Sequence, residues 1–115
     1  MDLPRLTAIA RSVVTAAERR LPAEVRAATA AVPVCYESAP NADILGLFVG
    51  HEHGAELRSD EVSLPPQILL FLDNLWDYAG GDETAYRDEV RLTYLHELGH
   101  YLGWDEDEIA ERGLE

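Results

Sequence analysis

Over the first twenty positions the apolar residues fall at Leu6, Ile9, Val13 and Ala16 or Ala17, three and four apart, with arginines and Glu18 off the stripe. That period belongs to an amphipathic helix with one apolar face. Asp2 ahead of Leu3-Pro4 predicts its start: a carboxylate that accepts from first-turn N–H groups, then a proline where no N–H is missed. The helix runs to about Arg20, before Pro22 interrupts, and Ala23 to Ala30 read as a second short helix with Val25 as its main apolar contact. The pattern then changes. Pro33–Glu37 and Ile44–Val49 are short apolar runs that read as strands, separated by the turn-forming stretch Ser38–Asp43. Gly50–Gly54 reads as a loop or hairpin tip, and Leu57 and Val62 flank another short extended stretch. After Pro65-Pro66, Ile68–Leu72 reads as a buried strand and Asp73–Tyr78 as a short helix. Gly80-Gly81-Asp82 makes a turn, and Glu83–Leu102 is helical, with acids in the first turn facing the exposed N–H groups. Gly103 predicts the stop, because glycine takes a left-handed conformation without strain. Trp104–Glu115 restarts as a short acidic helix with Ile109 and Leu114 as anchors.

The long helix carries the chemistry. His96-Glu97-Leu98-Gly99-His100 is an HExxH string. Residues four apart on a helix share a face one turn apart, so His96 and His100 can hold one zinc ion with two imidazole nitrogens. Glu97, one residue on, flanks that position and suits a general base acting on a metal-activated water. Without a metal, the two histidines would be buried and hydrogen-bonded, and a buried Glu97 would need a partner such as Arg87 or Arg91.

A catalytic zinc takes a third protein ligand and keeps one position open. Fifteen residues follow His100, so no distant second helix on that side supplies it. The nearby acids are Asp105, Glu106 and Asp107. Glu106 is favoured, six past His100, because a turn at Gly103 lets the chain double back; Asp105 and Asp107 stay open as alternatives. Trp104, between His100 and Glu106, is placed to form one wall of the cleft. His51 and His53 flank Glu52 and read as surface-loop residues more readily than as a second metal site. Tyr36, Tyr86, Tyr94 and Tyr101 are all candidates to stabilise a carbonyl oxyanion, none favoured; Tyr101 points away because it directly follows a ligand.

Length and charge narrow the function. The chain has 115 residues, the size of one domain, with a net charge of −13. Residues 1–58 carry −1, and 59–115 carry −12. A field of that sign opposes nucleic acid and anionic lipid, tolerates a metal ion and favours a basic substrate. The single cysteine, Cys35, excludes an internal disulfide and reads as a buried structural thiol, which points to the reducing cytoplasm. The N-terminal stretch is not a signal peptide, and no apolar run is long enough to span a membrane.

The string HELGHYLGWDEDEI resembles HExxHxxGxx(D/E), the signature of a minimal zincin-like zinc metallopeptidase family of small bacterial proteins. Leu45–Phe48, Ser63–Phe71 and the closing Ile109 and Leu114 are similar to that family's other segments. The resemblance implies a compact α+β zincin-like fold over residues 1–115. It has an N-terminal helix, a small mixed β-sheet, a long helix bearing HExxH and a short acidic C-terminal helix. It implies His96, His100 and Glu106 as ligands of one Zn2+, Glu97 as catalytic base, and a peptide or protein substrate. A metal-holding domain without turnover, acting in binding or assembly, is the alternative. The spacing is also similar to that of the metzincins, but the third position here is acidic and the only methionine is Met1.

Overall fold

Two capped helices frame the fold. In α1 (Leu3–Arg19), Asp2 accepts a hydrogen bond from the Arg5 N–H at 3.0 Å, and proline follows within the first turn. Its buried face is Leu6, Ile9, Ala10, Val14 and Ala17. The expected stripe is therefore rotated slightly: Val14 takes the core position, and Val13 packs at its margin. The small Ala10 belongs to the face, which widens it beyond the larger apolar residues. The structure is a computed structural model, and it describes residues 1–38, 43–50 and 65–111, excepting the side chains of Glu106, Ile109 and Ala110. The expected loop histidines His51 and His53, the stretch around Leu57 and Val62, and the anchor Leu114 lie outside the described residues.

After α2 (Ala23–Thr29) come β1 (Val34–Glu37), β2 (Gly46–Val49) and β3 (Gln67–Phe71). β3 is the middle strand of a three-stranded sheet; β1 pairs with it in parallel and β2 antiparallel. The sheet is thus mixed. In β3, Ile68 and Leu70 are fully buried on one face while Leu69 is half-buried on the other. The inner rows are Val34–Ile68–Phe48 and Tyr36–Leu70–Gly46. The helices cover that face. Leu72, expected to end the strand, instead opens α3 (Leu72–Tyr78) and is fully buried.

The long helix α4 (Glu83–Tyr101) runs through the centre, touching α1, α3, β2 and β3. Asp82 caps it by accepting from the Ala85 N–H at 2.8 Å. Tyr86, Val90, Tyr94, Leu98 and Tyr101 recur every three or four residues and are buried. Two of these tyrosines tie α4 to α1: the Tyr86 hydroxyl donates to the Leu6 carbonyl at 2.9 Å, and that of Tyr94 donates to Glu18 Oε1 at 3.2 Å. The short helix α5 (Glu106–Glu111) closes the described chain, capped by Asp105, whose Oδ1 accepts from the Glu108 N–H at 2.8 Å. Among the described residues, no helix is long and apolar enough to cross a membrane.

Candidate metal centre

The two faces of α4 have different work. The tyrosine-rich face is committed to the core. The other, at Thr93, His96, Glu97 and His100, follows the same three-and-four spacing and borders open clefts. His96 and Glu97 are half-buried. The His96 and His100 rings lie 4.6 Å apart, centroid to centroid, at 85° to one another. One donor atom from each of His96, Glu97 and His100 can be chosen so that all lie within 4.8 Å of one another.

Strand β2 forms the wall beside this face because residue 46 is glycine. A Cβ there would lie 2.6 Å from Thr93 Cγ2, 3.2 Å from the Leu69 carbonyl oxygen and 3.4 Å from Glu97 Cγ. Carbon atoms ordinarily approach to about 3.5–4.0 Å, so only glycine lets the strand come this close. Further along, the Phe48 ring meets Tyr101 edge-on at 5.7 Å. β2 therefore runs past α4 from the Thr93–Glu97 level to the Tyr101 level. Its other edge is unpaired among the described residues.

Two clefts meet at Glu97. One, about 400 Å3, is lined by Ile44, Leu45, Gly46, Leu92, Thr93, His96 and Glu97. The other, about 500 Å3, is lined by Leu47, Phe48, Glu97, His100, Gly103, Trp104 and Asp105. The second exists because α4 ends where Gly103 requires. Gly103 has φ +76°, its N–H bonds to the His100 carbonyl, and the Trp104 N–H bonds to that of Gly99, each at 2.9–3.0 Å. This paired closure is a Schellman cap. It turns Trp104 and Asp105 back beside His100, and Trp104 forms a wall of the cleft, as the sequence suggests.

The other expected residues sort as follows. Asp105 and Asp107 have described side chains, and neither joins the His96–Glu97–His100 group. Glu106 is the first residue of α5, directly after Asp105; its side chain lies outside those described. None of the four tyrosines lines either cleft. Tyr86 and Tyr94 spend their hydroxyl protons on α1, and Tyr101 is buried against Phe48. Burial pushes the Tyr86 and Tyr94 phenols well above their ordinary range, and for Tyr94 the Glu18 charge adds to it. Tyr36 lies beneath the Arg11 guanidinium, 5.0 Å from its ring centre, in a separate cleft between α1, α2 and β1. Cys35 is half-buried, its thiol 3.3 Å from Gln67 Oε1. Arg87 pairs with Glu83 at 3.4 Å and with no other described carboxylate.

Gly46 and Thr93 are the functional neighbours that the sequence reading passes over. The available signal is an isolated glycine inside an apolar strand, a mark of close backbone approach.

Two imidazoles one helical turn apart, with a carboxylate beside them and one flank open to a cleft, form a donor set suited to a borderline metal ion. A search of curated proteins returns no match. The sequence profile of a family described as zincin-like metallopeptidases matches residues 13–114. With that match spanning most of the chain and the His96–Glu97–His100 group assembled on α4, the chain belongs to the zincin-like metallopeptidase family.

Proposed function

We propose that this chain is a zinc-dependent peptidase, with His96, His100 and Glu106 holding one Zn2+ and Glu97 acting as general base. The observation that carries this reading is the His96–Glu97–His100 group, its donor atoms within 4.8 Å, where two clefts meet. The donors fit the ion. Zn–N bonds of about 2.0–2.1 Å put two imidazole nitrogens roughly 3.3 Å apart on a tetrahedral centre, a distance that small side-chain rotations can meet. Chain position favours Glu106, six past His100, and neither Asp105 nor Asp107 joins the His96–Glu97–His100 group.

Bound zinc would supply Lewis acidity, polarising the scissile carbonyl and acidifying a water. The residues supply the rest. Glu97 lines both clefts, which supports the general-base role: its carboxylate would take a proton from the attacking water and pass it to the leaving amine nitrogen. The edge of β2 that is unpaired among the described residues offers backbone groups along which an extended peptide can lie, as a further strand. Gly46 sets the gap between that edge and Glu97.

A retained base separates this reading from a purely structural metal site, which fills all four positions with protein ligands. The test is hydrolysis of a mixed pool of quenched fluorescent peptides by the zinc-loaded chain. Glu97→Gln is expected to lower the rate about 10²–10⁴-fold while keeping its zinc. Equal rates in the two proteins would remove Glu97 from the reaction, and no hydrolysis by the zinc-loaded wild type would favour a binding role.

A further inference from the structure

The two clefts differ in chemistry. The one beside His96 has aliphatic walls at Ile44, Leu45 and Leu92. The one beside His100 is walled by Leu47, Phe48, Trp104 and Asp105. An indole next to a carboxylate in a cleft with apolar sides suits one kind of side chain: a long apolar stem ending in a cation. The stem packs on Leu47 and Phe48, the cation rests on the indole, and the carboxylate accepts its hydrogen bonds.

Among the described residues, no cation pairs with Asp105. Its side chain stands outside the His96–Glu97–His100 group. It is exposed, and only Oδ1 takes the Glu108 N–H. A carboxylate has about four acceptor positions, so a guanidinium or ammonium can still be accommodated. The surroundings add to it: Asp107 and Glu108 follow on α5, and the second half of the chain carries −12.

We infer that the Trp104–Asp105 cleft is a specificity pocket for a basic side chain, arginine or lysine, on one side of the scissile bond. The aliphatic cleft takes an apolar side chain on the other. This inference rests on the peptidase reading and names its substrate class. The clefts abut at Glu97, so both side chains belong within about two residues of the cleaved bond, given a strand rise of about 3.3 Å per residue.

The experiment uses the full zinc-loaded chain and peptides differing at one position: arginine, its neutral isostere citrulline, or glutamate. Cleavage is followed by kcat/KM. Binding is followed by fluorescence anisotropy, with analogues whose scissile amide is replaced by a methylene-amine. Arginine is expected to exceed citrulline by about tenfold in both readouts, with glutamate lowest. Asp105→Asn keeps a residue that caps helices as well as aspartate does. It is expected to bring the arginine-to-citrulline ratio close to one. Equal treatment of arginine and citrulline by the wild type, or an unchanged ratio in Asp105→Asn, overturns the inference while cleavage itself upholds the peptidase reading. Arginine-selective binding with no cleavage of any peptide does the reverse.

Discussion

Gly46→Ala tests the link between packing and catalysis. The added methyl would sit 2.6 Å from Thr93 Cγ2, about 1 Å inside ordinary contact. Thr93 is β-branched on a helix, which leaves it at most two χ1 rotamers in which to retreat. The Leu69 carbonyl at 3.2 Å blocks the other direction. The strand must therefore back away from α4 by several tenths of an ångström. Overpacking of this kind costs about 1–3 kcal/mol, and the lower chain entropy of alanine in the unfolded state offsets about 0.4–1 kcal/mol. A net loss of about 1–2 kcal/mol corresponds to a fall in Tm of about 4–8 °C for a chain of this length. Activity should fall further, by about tenfold to a hundredfold, because the wall beside Glu97 moves while the metal ligands do not. The assay is a thermal melt, zinc content and kcat/KM on Gly46→Ala, Thr93→Ser and the double variant. Thr93→Ser removes the clashing methyl and keeps the hydroxyl, so the double variant should regain most of both losses. An unchanged Tm in Gly46→Ala, or no recovery in the double variant, would refute the contact argument.

Two further outcomes follow from the packing. Burial raises the pKa of Tyr86 and Tyr94 above the ordinary value near 10, so the unfolded chain releases these protons first as pH rises. Their contribution is complete below pH ~10 and is lost above it, at up to about 1.4 kcal/mol per pH unit per tyrosine. Urea melts above pH 10 should show this clearly because the chain contains no lysine, and Tyr94→Phe should make the decline shallower. Gly103→Ala forces a side chain into a left-handed conformation at about 1–2 kcal/mol. It should lower Tm by about 4–8 °C and weaken zinc affinity, because this turn leads into Glu106, the proposed third ligand; melting and metal titration read out the two effects.

Much of this was legible along the chain, and for local reasons. The Asp2 cap, the Gly103 stop and the one-face placement of His96 and His100 depend on neighbours within a turn, so short-range spacing reveals them. The mixed order of the sheet depends on long-range pairing, and only the family resemblance pointed to it. The tyrosines show the same limit. Sequence favours none of the four and sets only Tyr101 apart; in the fold Tyr86 and Tyr94 fall on the α1 side of α4, Tyr36 beside Arg11 and Tyr101 against Phe48, so none lines the clefts. Rotation of α1 to bury Val14 ahead of Val13 reflects Ala10, a small residue that a count of large apolar positions passes over. Gly46 carries no chemistry of its own, and its role becomes visible only once Thr93 stands opposite.

Metal content tests the central claim most directly. The chain is purified without chelator and without a nickel affinity step, supplied with zinc, dialysed and measured by elemental analysis beside His96→Ala and Glu106→Ala. The account expects about one zinc per chain in the wild type, none in His96→Ala and weakened retention in Glu106→Ala. A wild-type chain that keeps no zinc, or a His96→Ala chain that keeps as much as the wild type, would contradict it.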